Sequence, residues 1–249
     1  MAVTPSYTLR GPVGVVIAHP DDESMFFTPA LSTLKRQGKR ILVLCLSSGN
    51  FHGLGETRKR ELLKACGVFG IPEDDVNIIE HPELQDGSAK SWPAEMVATQ
   101  VREFVQKNGV NSILTFDERG VSGHSDHTAV SRGVALYLRI RANSSGGGNK
   151  PVDAYALEDT WTIRKYMGLL DLPWSCVEAN SPPLGAFFVN FNIMTAWRAM
   201  ASHRSQFVWY RRLFVIFSRY AYMNTFKRLN LPLRREVPVP DIGKQSPRS

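Results

Sequence analysis

The chain has 249 residues, 43% of them hydrophobic, with 30 Lys+Arg against 23 Asp+Glu and a formal net charge of +7. This is enough chain to bury one sizeable α/β core, read as a single domain over residues 1–249. Cys45, Cys66 and Cys176 are scattered and odd in number, which excludes a disulfide framework and a cysteine-based zinc finger and reads as reduced thiols.

In chain order, the first element is the apolar run Val13-Gly14-Val15-Val16-Ile17-Ala18, continuous rather than alternating, as in a strand buried on both faces of a parallel sheet. It ends in His19-Pro20-Asp21-Asp22-Glu23. Proline suits a first helical turn and acids suit its positive end, so a helix opens here. An imidazole and three carboxylates thus stand at the carboxyl end of a first strand, where open α/β sheets place ligands. An ordinary helix start with a hydrogen-bonded histidine would have the same residues. Further strands are expected over 40–46, 76–80, 112–116 and 152–157, and helices over 23–36, 56–69, 93–107 and 126–140. The alternation predicts a Rossmann-like α/β fold, a mostly parallel sheet flanked by helices. Gly53-Leu54-Gly55 lacks the spacing of a dinucleotide loop. His52 and His81 read as structural.

The fourth strand, Ser112 to Phe116, leads through Asp117-Glu118-Arg119-Gly120 into His124-Ser125-Asp126-His127 at a helix start. A capped helix accounts for either cluster alone. Two His/Asp clusters, each following a strand and each opening a helix, point to a shared metal. A catalytic zinc takes three protein ligands and keeps one open position, and His19, Asp22 and His127 supply them. Ferrous iron suits the same set. Neighbouring side chains diverge, so Asp21 faces the reaction as general base. His124 is left to stabilise an oxyanion or protonate a leaving amine, and Asp126 to orient an imidazole. This is equipment for hydrolysing an amide. Asp117 contacts sugar or a histidine, or caps its turn.

The residues 143–150, Asn-Ser-Ser-Gly-Gly-Gly-Asn-Lys, form the one low-complexity loop. From Arg198 onward eleven Lys+Arg face two acids, interleaved with Trp209, Tyr210, Phe214 and other aromatics. Such a region, 198–249, is expected to be helical and to lie on a membrane surface; a core helix with a basic face is the plainer alternative. Nucleic-acid binding is not expected, because no nucleic-acid module accompanies the charge. No apolar run reaches the length of a membrane-spanning helix, and no signal peptide precedes Val13.

The paired His-Pro-Asp-Asp-Glu and His-Ser-Asp-His motifs make the chain similar to the LmbE-like zinc deacetylases. More narrowly it resembles the N-acetylglucosaminylphosphatidylinositol de-N-acetylases of the PIG-L type, from about Val13 to Tyr222. Ser47-Ser48-Gly49-Asn50, Arg58, Glu61 and Ser202-His203-Arg204-Ser205-Gln206 belong to the resemblance. Ser218-Arg219-Tyr220 and Asn224 favour its glycolipid branch. The resemblance implies zinc on His19, Asp22 and His127, Asp21 as base and His124 as the polarising histidine. It implies a substrate-binding role for Arg58, whose plain alternative is a solvated helix pair with Glu61, and a site role for His203. It also implies removal of acetyl from an N-acetylglucosaminyl inositol phospholipid in glycosylphosphatidylinositol anchor synthesis, at the cytoplasmic face of the endoplasmic reticulum membrane. Members of that branch carry an N-terminal membrane helix. The sequence here therefore predicts peripheral docking or a form without that anchor. A soluble deacetylase of a small N-acetylglucosamine conjugate, and a non-catalytic membrane or nucleic-acid binding module, are the competing functions.

Overall fold

The structure, a computed structural model, describes residues 9–87, 91–143, 150–179 and 184–229. The glycine-rich part of the low-complexity loop, 144–149, and the basic stretch 230–249 lie outside the described residues.

A strand with no polar alternation must be covered on both faces, and β1 (Val13–Ile17) is buried along its whole length. The chain leaves it through α1 (Asp22–Phe26) and α2 (Thr28–Arg36) to β2 (Ile41–Cys45), then through α3 (Gly55–Val68) to β3 (Val76–Ile78). It returns through α4 (Ala94–Asn108) to β4 (Ser112–Phe116) on the other side of β1. From there α5 (Gly120–Gly123) and α6 (Ser125–Asn143) lead to β5 (Asp153–Leu157). The sheet order is β3-β2-β1-β4-β5-β7-β6, with β1 to β5 mutually parallel. The direction of winding reverses between β1 and β4, so the crevice at their carboxyl ends is the switch point where such sheets bind ligands. Right-handed crossovers put α2 and α3 on one face and α4 and α6 on the other. α4 and α6 pack so closely that a Cβ on Gly133 would lie 2.2 Å from Val97.

The single helix expected over 23–36 is two. Phe27 separates α1 from α2, and Pro29 in the first turn of α2 has no N–H with which to continue α1. The C-terminal third departs further from expectation. After α7 (Thr162–Lys165) and α8 (Leu172–Ala179) comes β6 (Leu184–Val189), then α9 (Ile193–Ser202), α10 (Trp209–Phe217) and β7 (Met223–Arg228). β7 runs antiparallel to both β5 and β6 and lies between them, leaving β6 as the edge strand. The region from 198 is therefore not helical throughout, because Met223 to Phe226 are buried in a strand. Its periodicity was masked by a short strand between charged residues. Among the described residues, no helix is long and apolar enough to cross a membrane.

Candidate active site

The turn after β1 bends sharply. Asp21 has φ +123°, a conformation that costs a residue with a side chain about 1–3 kcal/mol. Its surroundings hold it there. Glu23 is fully buried and folds back, so that Oε2 accepts the Asp21 N–H at 3.1 Å while Oε1 meets His203 Nε2 at 2.6 Å. Asp22 turns the other way. Its Oδ2 accepts the N–H groups of Ala18 and His19 at 3.0 and 2.9 Å, and its Oδ1 lies 3.1 Å from His127 Nε2. The two adjacent carboxylates diverge, as sequence neighbours must.

The turn after β4 is fastened by Asp117. Its Oδ1 accepts the N–H of Arg119 and of Gly120, each at 3.1 Å, and its Oδ2 accepts Asp159 N–H at 2.8 Å. This is the turn-capping use of the residue. Gly120 has φ +63°, and a Cβ there would fall 2.8 Å from Thr128 N, so only glycine fits. The Gly120 carbonyl accepts from His127 Nδ1 at 3.0 Å, and the His127 ring stacks on Phe116 with centroids 4.0 Å apart. A carbonyl only accepts, so Nδ1 carries a proton. Nε2 then faces Asp22 Oδ1, a contact that needs a positive centre, either a proton on Nε2 or a metal ion beside the two atoms.

Around this pair the structure assembles more donors than expected. His19 Nε2 lies 3.1 Å from Asp126 Oδ2 and 3.4 Å from Asp86 Oδ1. Ligand atoms of His19, His124 and His127 lie within 4.8 Å of one another, as do those of His19, Asp86 and Asp126. Asp22 is in neither group and meets the cluster through His127. Thus His19 and His127 converge, Asp22 and Asp126 each face one of the imidazoles, and Asp86 is an addition. His124 sits exposed at the rim, stacked on His127 with centroids 4.6 Å apart. Its Nδ1 accepts Asp126 N–H at 3.3 Å, which leaves the neutral ring a proton on Nε2 to donate.

The electrostatics favour a cation. Burial opposes charge on His19, but Asp126, Asp22, Asp86 and Asp21 outweigh it and raise its pKa. Burial opposes charge on Asp22 too, yet His127 and His19 hold its carboxyl below the ordinary range. Asp21 behaves oppositely: burial pushes its pKa up, against the pull of Arg211 and Arg58. Burial, with His127 and His19 beside it, lowers the pKa of His124. Imidazole nitrogens and carboxylate oxygens converging on one another fit a borderline divalent ion such as zinc.

Arg58 does not make the solvated pair with Glu61. It is buried, donating to the carbonyls of Gly49 and Pro20 at 2.9 and 2.8 Å and lying 3.3 Å from Asp86 and 3.5 Å from Asp21. Gly49 leaves room for it, since a Cβ there would lie 2.3 Å from the guanidinium. Glu61 instead accepts Ser205 N–H and Oγ–H at 2.8 and 2.6 Å. Arg211 of α10 donates to Asp21 Oδ2 and to Gln206. Asp86, Glu23 and Arg211 had no site role assigned from sequence. Glu23 had a signal as the last residue of the first motif, whereas Asp86 and Arg211 are brought in only by the loop before α4 and by α10. Ser218, Arg219, Tyr220 and Asn224 are framework: Asn224 accepts Ala30 N–H at 3.1 Å and donates to Phe26 O at 2.8 Å.

Comparison with known proteins agrees with this geometry. Residues 14–138 match the PIG-L family, described as GlcNAc-PI de-N-acetylase. The chain is 40% identical over 217 residues to an N-acetylglucosaminyl-phosphatidylinositol de-N-acetylase of Bos taurus, covering 86% of this chain and 82% of that protein. It is 33% identical over 242 residues to a probable enzyme of the same name from Dictyostelium discoideum, covering 88% and 94%. In fold it is similar to N,N'-diacetylchitobiose deacetylase from Pyrococcus horikoshii, with a TM-score of 0.62 at 14% identity over 90% of this chain and 87% of that one. With the two motifs converging at the switch point and these relatives matched over most of its length, the chain belongs to the PIG-L family of GlcNAc-PI de-N-acetylases.

Proposed function

We propose that the protein hydrolyses the acetamide of an N-acetylglucosaminyl phosphatidylinositol, releasing acetate and leaving the glucosaminyl lipid. It would do so in glycosylphosphatidylinositol anchor synthesis at the cytoplasmic face of the endoplasmic reticulum. The observation that carries this reading is the convergence of His19, Asp22 and His127 at the switch point, with His127 Nε2 3.1 Å from Asp22 Oδ1 and ligand atoms of His19 and His127 within 4.8 Å of each other. His19, Asp22 and His127 would hold a zinc ion, with Asp126 and the Gly120 carbonyl fixing the two rings. Bound zinc supplies Lewis-acid polarisation of the amide carbonyl.

The chain's own residues do the rest. Asp21 takes a proton from the attacking water; burial raises its basicity while Arg211 and Arg58 keep it in place. As water adds to the carbonyl carbon, His124 donates from Nε2 to the developing oxyanion. The C–N bond then breaks as the proton that Asp21 took from water passes to the sugar nitrogen, which leaves as the amine. Glu23 and His203 hold the strained Asp21 backbone in the conformation this needs. Arg58 serves this reading as the group that fixes Asp21 and Asp86.

The test is deacetylation of a synthetic N-acetylglucosaminyl inositol phospholipid by the purified chain, before and after chelation and after zinc or ferrous iron is restored. Amine release that is lost on chelation and regained with metal is expected. Release from a small soluble N-acetylglucosamine conjugate alone would replace the lipid by that substrate class.

A further inference from the structure

α10 packs through Val215 and Phe214 and turns most of its other apolar side chains outward. Of its nine residues only Val215 is buried, while Trp209, Tyr210 and Phe217 are exposed, Trp209 to 71%. A second apolar segment, 161–177, lies beside it and exposes Trp161, Leu170 and Trp174, Leu170 to 75%. The two are joined. The Tyr166 and Phe214 rings meet at 6.4 Å, and a Cβ on Gly168 would sit 3.3 Å from the Phe217 carbonyl. Soluble monomers rarely expose continuous apolar surface of this extent.

The exposure is not slack packing. Beneath the 161–177 segment, Arg164 donates to Asp171 at 2.6 Å and the fully buried Arg219 donates to the same carboxylate at 2.7 Å. The segment is anchored from below while its tryptophans point outward. A mixture of tryptophan, tyrosine and leucine on a fixed surface is the composition that settles at the headgroup boundary of a bilayer.

Beside this strip, between α3 and α9, runs a groove of about 560 Å³ lined by Arg60, Lys64, Arg198 and Arg204. Its one acid, Glu61, is engaged by Ser205. Trp197 lines the groove and meets Phe207 edge-on at 5.0 Å, and Phe207 carries the Arg212 guanidinium 5.2 Å from its ring centroid. The cationic groove therefore continues into α10. A protein partner would satisfy the aromatic strip, but four clustered cations next to it call for phosphate-bearing headgroups.

We propose that the strip formed by α10 and residues 161–177, with the α3/α9 groove beside it, docks on an anionic phospholipid bilayer. Arg211 reaches from α10 to Asp21, so the docked face borders the candidate active site. Only the benefit of that placement rests on the proposed lipid substrate; the docking itself is measured without substrate.

The experiment is co-sedimentation of the full chain with vesicles of phosphatidylcholine alone or mixed with phosphatidylserine. The parent binds both, the mixed vesicles more tightly. Leu170→Ser with Trp174→Ser lowers binding to both compositions by roughly tenfold or more, since binding follows buried apolar area. Lys64→Gln with Arg198→Gln lowers binding to the mixed vesicles by roughly 25-fold, at about 1 kcal/mol per cation, and leaves binding to phosphatidylcholine unchanged. All four side chains are exposed, and an unaltered unfolding midpoint shows that each variant is folded. Absence of parent binding to the mixed vesicles, or variants that bind as the parent does, overturns the proposal. So does a concentration-dependent dimer without vesicle binding, which would assign the strip to a second copy. If the vesicle results hold and the lipid is not deacetylated, the catalytic reading falls and the docking surface stands.

Discussion

Two clusters of buried charge among the described residues are built on opposite rules. Beneath the 161–177 segment, Arg164 and Arg219 face Asp171 and Glu178, two cations against two anions, with Ser175 bonded to both Asp171 and Arg219. At the switch point, Asp21, Asp22, Glu23, Asp86 and Asp126 have Arg58 and Arg211 as their permanent cations among the described residues, and His127 Nε2 faces Asp22 Oδ1. The first cluster satisfies its own members and acts as a fastening. The second carries a surplus of negative charge beside converging imidazoles, which is the electrostatic form of a cation site.

The comparison breaks most visibly at the metal ligands. His19→Ala, Asp22→Ala and His127→Ala are each expected to lose bound metal and at least about 10³-fold in turnover together, because Lewis-acid assistance contributes several kcal/mol. Metal analysis beside kinetics checks this. Full occupancy in Asp22→Ala, with loss in His124→Ala, would hand the ligand position to His124, whose nitrogen lies within 4.8 Å of those of His19 and His127.

Asp21→Asn sharpens the same contrast by leaving the charge trap and removing only the base. Metal content should stay near the parent level while turnover falls roughly 10²–10⁴-fold. Loss of metal from the Asp21→Asn variant would show that the two adjacent carboxylates exchange roles.

Asp171→Ala probes the other cluster. It leaves Arg164 and Arg219 buried without their shared anion, a loss of about 3–5 kcal/mol in stability. Metal content per folded molecule should be unchanged. The parent also carries a pH signature here. Burial pushes the Asp171 carboxyl up, but Arg164, Ser175 and Arg219 outweigh it and hold its pKa below the ordinary value. A carboxyl depressed in the fold stabilises fully above the ordinary range, and that contribution is lost as pH falls through the folded value. Acidification below about pH 4 should therefore lower the parent's unfolding midpoint more steeply than the Asp171→Ala midpoint.

The same contrast explains what could be read from sequence. The strands β1 to β5 and the two motifs were legible because continuous apolar runs and residues at a strand's carboxyl end are local signals. The fastening cluster was not, because Arg219 reaches Asp171 from 48 residues away and no local motif marks the pairing. Asp86 was invisible for a similar reason: nothing in Gln85-Asp86-Gly87 marks an acid that will stand 3.4 Å from His19. His203 and Glu23, 180 residues apart, meet only once α9 has packed over α1. Sequence thus located the chemistry, while the supports that hold it in place are products of tertiary packing.

Asp117 joins the two kinds of wiring and gives the smallest effect. Its Oδ1 holds Gly120 N–H, and the Gly120 carbonyl in turn holds His127 Nδ1, so a turn cap positions a proposed metal ligand. In Asp117→Asn one carboxylate oxygen becomes an NH₂. Either the Asp159 N–H or the pair from Arg119 and Gly120 then meets a donor instead of an acceptor. An unpaired buried donor costs about 1–3 kcal/mol, and the cost falls partly on stability and partly on the placement of His127. Metal affinity is expected to weaken by roughly tenfold, toward the lower end of losses seen for groups that orient metal-bound histidines. With saturating zinc, turnover returns to near the parent value, and KM for the sugar substrate does not move, because no oxygen of Asp117 is assigned to it. A KM that rises severalfold at saturating metal, with stability unchanged, would make Asp117 a sugar contact and its hydrogen bonds to the turn incidental.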